Sequence, residues 1–133
     1  MRETFIKTVG YSEDFIKSSK SGWGCGYVYI PSEHPILVKL YTEEYQGWNY
    51  LQPNNCEQEI TLSQWDGDKD YYVIGFDTAH IYNNSTHDEA YVIAETEKIK
   101  ALVDAYTIED AHKEAINCIA NLRFKLAKYI IHE

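Results

Sequence analysis

The sequence predicts an α+β domain: an antiparallel sheet drawn from the N-terminal two-thirds of the chain, with two C-terminal helices packed on one face. Three observations carry this expectation. The β-rich runs "GYVYIP", "EITLSQW" and "YYVIGFDTA" all fall before residue 80, and the last two flank the turn-forming "DGDKD". After residue 85 the apolar positions recur at three- and four-residue steps behind two N-cap signals. No repeat, low-complexity run or linker divides the 133 residues, so one domain is expected, with 1–85 mostly strands and loops and 86–133 helical. A chain of this size buries roughly 65–70% of its unfolded surface. Its 44% hydrophobic content fits a packed core rather than disorder.

In chain order, "TFIKTVGY" reads as a short edge strand and "SSKSG" as a loop. From Trp23 to Pro31 a strand is expected, with Val28 and Ile30 on one face and Tyr27 and Tyr29 on the other. Pro31 and Pro35 each fix their own φ, so "PSEHP" should be an ordered turn. Residues 36–55 are aromatic and polar without a period, and are expected to form an irregular excursion of the kind that often carries function. In the hairpin, Ile60 with Leu62 and Ile74 with Phe76 are expected against the core, while Asp77 turns away from Phe76.

Thr86 with Glu89 reads as a capping box opening a helix through Tyr106. Val92, Ile99, Leu102 and Val103 recur at helical spacing there, and Glu95 interrupts them. Thr107 with Asp110 opens the second helix, whose stripe runs through Ala111, Ala115, Cys118, Ile119, Leu122, Leu126 and Ile130. That stripe serves equally well to cover the sheet or to join two copies as a homo-oligomer.

The net charge of −9 is unevenly placed. From Thr107 onward four acids balance four bases, whereas between Tyr41 and His80 eight acids face Lys69 alone. Such a surface repels phosphate backbones, so direct nucleic acid binding is not expected. The acidic face either keeps the chain solvated or mimics nucleic acid to occupy a basic protein. The start "MRETFIKTVG" has no signal-peptide run and no segment is apolar for the ~18 residues of a membrane span, so a soluble, cytoplasmic protein is expected. Cys25, Cys56 and Cys118 are odd in number and lack C-x-x-C spacing, which fits free thiols. "NNST" at 83–86 is expected to be a polar turn and not a glycosylation site.

Gly22, Gly24 and Gly26 make no phosphate loop, because a strand and not a helix follows them; they suit close backbone approach instead. Cys25, His34, Asp77 and His80 lie at or near strand ends and are of types that zinc accepts, but their spacing is not that of a dedicated site. A Cys–His nucleophilic pair lacks any sign of an oxyanion hole or orienting group. No catalytic residue, metal or cofactor is therefore assigned. The twelve tyrosines and three tryptophans suit either core filling or a surface on which flat ligands or partner side chains stack.

"GCGYVYIPSEHP", the hairpin strand, "GFDTAH" and "EAYVIAETEKIKAL" together resemble a family of small bacteriophage and prophage proteins, over about residues 22–103. This chain departs from the family where "CEQEITLS" replaces a histidine-glycine-glycine lead into the hairpin, and any chemistry of that histidine is missing. The resemblance implies a phage accessory protein, acting in the bacterial host cell. The resemblance names no activity; small phage accessory proteins often counter host defence, and the leading expectation is a non-catalytic binder that sequesters a small nucleotide-type signal. Tyr27, His34, Trp48, Asp77 and His80 are the expected ligand-binding residues. The rival expectations are an acidic inhibitor of a host defence or nucleic-acid-binding protein, in the manner of an anti-CRISPR or DNA mimic, and a metal-dependent hydrolase.

Overall fold

A computed structural model describes residues 2–39 and 56–131. In chain order it contains strand β1 (Phe5–Gly10), helix α1 (Glu13–Ser19), strand β2 (Gly24–Pro31), a 3-10 turn (Pro35–Val38), strands β3 (Leu62–Trp65) and β4 (Tyr71–Asp77), and helices α2 (Glu89–Ala105) and α3 (Ile108–Ile131). The strands form one antiparallel sheet in the order β1-β2-β4-β3. The fold class is α+β, as the alternation and the helical periodicity predict.

The two-residue period of β2 and β4 decides which face is core. Val28, Ile30, Ile74 and Phe76 are fully buried and pack against Val92, Ile99 and Val103 of α2. Each such side chain contributes about 1.5–3 kcal/mol on burial. Gly26 lets α2 come down onto the sheet, because a Cβ there would overlap Thr96 Oγ1 and press on Phe76. Gly24 serves the same end toward β1, whose Val9 carbonyl occupies the space a side chain would need. The close-approach reading of these glycines holds, and no glycine among the described residues has a positive φ.

Four details differ from the sequence-based expectations. Residues 13–19 form α1, capped by Ser12, whose side chain accepts from Phe15 N–H. The helix buries no residue, so no apolar stripe announces it in the sequence. Helix α2 is capped by Asp88, which accepts from Tyr91 N–H at 2.9 Å. Thr86 instead closes a turn on Asn84 Oδ1, and the His87 carbonyl is taken by Trp23 N–H, which holds the chain out of the helix until residue 88. Leu62 pairs with Gly75 and so shares the face of Tyr27; Ile60, just before the strand, reaches the core.

The fourth difference concerns α3. Its box is as predicted, with Thr107 N–H donating to Asp110 Oδ2 at 2.9 Å and Asp110 N–H to Thr107 Oγ1 at 3.2 Å. Its first half packs beside the 3-10 turn, where Lys39 pairs with Glu114 and lies over the Tyr106 ring. The stripe does not cover the sheet, however: Ile119, Leu122, Leu126 and Ile130 are each more than half exposed. Cys118, expected in the core, is only partly buried. Helix α2 lies across β2 and β1.

Among the described residues no helix is long and apolar enough to cross a membrane. All three cysteines are free thiols.

Candidate functional site

The face of the sheet opposite α2 carries Phe5, Lys7, Cys25, Tyr27, Tyr29, Tyr71 and Asp77, placed there by the strand period and the register. At the Pro31 end, Phe5 stacks on Tyr29 at 4.8 Å between ring centroids and meets Tyr71 edge-on at 5.1 Å. Lys7 lies over Tyr29 and Arg2 over Tyr71, each within 5 Å of the ring centroid, so the cations face ring quadrupoles.

At the other end of the same face the register pairs Cys25 with Asp77. Cys25 Sγ is 3.4 Å from the Tyr11 hydroxyl. Burial, then the hydrogen bond to Cys25, pushes the Tyr27 phenol up to about 12, and the same causes raise Tyr11. Both phenols are therefore neutral donors at physiological pH. Asp77 is the hub of this end. Its Oδ1 accepts from Ala79 N–H at 3.0 Å, its Oδ2 faces Thr61 Oγ1 at 3.4 Å, and its charge raises Tyr11, Tyr27 and Tyr82. His80 Nε2 stands 3.5 Å from Asp77 Oδ1, beyond good hydrogen-bond length, and has no hydrogen-bond partner although the atom is buried. The His80 ring stacks on Tyr82, which is half exposed.

Three of the five sequence-predicted site residues, Tyr27, Asp77 and His80, thus come together. His34 does not join them. It follows the opposite end of β2, where its Nδ1 accepts from Ile36 N–H at 3.1 Å and caps the 3-10 turn. Burial holds this imidazole below its ordinary value, against the opposing pull of Asp104 and Glu33. His34 lines a separate cleft of about 360 Å3 with Arg2, Thr4, Lys100 and Asp104. The cations of that cleft are engaged within the chain: Arg2 with Glu33 at 2.8 Å and Lys100 with Asp104 at 2.6 Å. Trp48 lies outside the described residues, as does the 41–55 part of the acidic region.

Tyr11, Thr61 and Tyr82 belong to the cluster and are not found from the sequence. Tyr82 stands two residues beyond His80 in "GFDTAHIY", which is the signal that could have found it; Tyr11 and Thr61 come in only through strand pairing.

Neutral phenol donors, one carboxylate acceptor and the His80 ring lie beside flat aromatic rings, groups that can stack on and hydrogen-bond a planar polar molecule. Among the described residues no group of three His, Cys, Asp or Glu side chains is placed to hold a metal ion. No protein-family model, curated protein or solved structure matches this chain in comparison.

Proposed function

We propose that the chain is a phage accessory protein that binds a small nucleotide-type signal and releases it unchanged, so lowering the free signal available to a host defence system. The observation that supports this reading is the convergence of Tyr27, Asp77 and His80 on the aromatic outer face of the sheet. A base would stack on the half-exposed Tyr82 ring, and its polar edge would meet the partly exposed Asp77 carboxylate, with the His80 ring beside it. The phage assignment rests on the motif resemblance alone.

The test is native mass spectrometry of protein purified from bacteria carrying a nucleotide-signalling defence system. A bound nucleotide-sized mass, recovered chemically intact on denaturation, is the expected result. An empty protein from such cells, with no binding of purified cyclic or linear nucleotides by calorimetry, would sink the reading.

A second reading has its own support. Asp66, Asp68 and Asp70 crowd the exposed β3–β4 turn, which suits an acidic surface blocking a basic host protein. Such binding would weaken steeply with added salt, whereas stacking in a site would be far less salt-sensitive.

A further inference from the structure

Helix α3 is 24 residues long, and its packing on the 3-10 turn runs through Glu114 in the first half, which pairs with Lys39. Every residue from 121 to 130 is exposed. A helical half of this length is marginal in water without a partner for its apolar side. That side is well formed: Ile108, Ile116, Ile119, Leu122, Leu126 and Ile130 are each 53–76% exposed and fall within one helical stripe. Ile116 and Ile119 line a shallow groove of about 350 Å3 with Ala120 and Arg123, near the middle of the helix.

We infer that this stripe is a two-fold interface with a second copy of the chain, the two α3 helices packing antiparallel about Ile119. Charge selects both occupant and direction. The first half of α3 carries Glu109, Asp110 and Glu114 against Lys113, while the second half through Ile131 carries Arg123, Lys125 and Lys128 and no acid. An antiparallel second copy lays each basic half along the other's acidic half and opposes the helix dipoles head to tail. A parallel copy sets like against like.

The apolar register agrees. With Ile119 on the axis, Leu122 falls beside Ala115 and Ile116 of the second copy, and Ile130 beside its Ile108. At roughly 100 Å2 per large apolar side chain, six such residues with the alanines and charged stems around them approach the ~800 Å2 per partner of a standard interface. The interface is isologous, so it closes at two copies. Because α3 leaves the outer sheet face uncovered, the dimer would present two copies of the Asp77 site.

Sedimentation velocity of the full chain tests this. A reversible dimer at micromolar concentration is expected, with Ile119→Asp weakening it by about a hundredfold, lowering the far-UV helix signal by no more than fraying of the second half of α3, and leaving the melting temperature of the monomer unchanged. Direction is read separately in a Cys118→Ser background. Under mild oxidation Ile119→Cys should cross-link to its counterpart, while Tyr129→Cys should not. A chain that stays monomeric at high micromolar concentration overturns the inference, whether or not it binds anionic vesicles instead. Equal cross-linking at both positions overturns the antiparallel arrangement.

Discussion

Cys56 gives its thiol hydrogen to Glu95 Oε2 at 2.7 Å, and so fastens the segment that leads into β3 to the middle of α2. Glu95 is 2% exposed. Burial alone would raise this carboxyl, but the bonds from Cys56, Lys98 and the Glu57 N–H outweigh it and hold the group below its ordinary value. Gln58 and Tyr91 continue the network, with Gln58 Nε2 donating to Tyr91 Oη at 3.0 Å.

Removing that carboxylate should be costly. Glu95→Ala leaves Cys56 and the Glu57 N–H without their acceptor, and a loss of about 3 kcal/mol is expected. Urea unfolding of both proteins checks this. A loss below about 0.5 kcal/mol, the ordinary range for surface changes, would show that the network carries no stability.

The same contact predicts thiol behaviour. Burial and the Glu95 bond push the Cys56 thiol up to about 12, so little thiolate forms at pH 8. With Cys25 and Cys118 replaced by serine, the folded protein should react with a disulfide reagent only at the rate of unfolding. Prompt labelling in the native state would contradict the assignment.

Close approach at Gly26 gives a third expectation. Gly26→Ala drives a methyl into Thr96 and Phe76, and should cost about 2–3 kcal/mol. Thr96→Ala removes the first obstacle, although it also removes the hydroxyl bond to the Val92 carbonyl. The two changes should therefore couple favourably in a double-mutant cycle. Simple additivity would mean that α2 does not seat on β2 at this point.

Acid should weaken the fold through His34. The imidazole is held below its ordinary value in the native state, so between that value and its native one the unfolded chain binds more protons. The stability His34 contributes is present above about pH 6.5 and is lost as the pH falls through the native value. His34→Asn keeps a capping acceptor for Ile36 N–H without a titrating ring. Chemical denaturation at pH 7.5 and 5.5 should show a smaller pH effect in this variant than in the parent.

At the proposed site, Asp77→Asn keeps an oxygen for Ala79 N–H while removing the charge facing His80. A tenfold or greater loss of nucleotide affinity is expected, with the melting temperature nearly unchanged. His34→Asn should leave affinity intact. Equal losses in the two variants would separate binding from the outer face.

Much of the fold is legible in the sequence because burial imposes a period. Val28 and Ile30 alternate with Tyr27 and Tyr29, and Val92, Ile99 and Val103 return at helical steps. Glu95 is conspicuous for the same reason, as a charge standing where the period requires an apolar residue. Helix α1 imposes no such pattern, because it buries nothing; only Ser12, the acids Glu13 and Asp14, and Lys17 mark its ends. The stripe of α3 is visible, but periodicity reports that a face is apolar and does not say what covers it. Half of the site is readable likewise: "GFDTAH" places Asp77 and His80 together, while Tyr11 and Thr61 reach Asp77 only through pairings across the sheet. His34 was separable only by seeing that its ring accepts a bond from the turn it precedes.

The central strand pair also sets the tempo of folding. Pro31 and Tyr71 face each other across β2 and β4 although forty positions separate them, whereas Trp65 and Tyr72 face each other across a short turn. The local hairpin can close in about 1–10 μs. Seating β2 must first overcome the entropy of a long closure, and α2 has no sheet to rest on until Gly26 is in place. The pairing of β2 with β4 is therefore expected to limit folding, and in stopped-flow refolding substitutions at Val28 should slow the rate more than substitutions at Trp65.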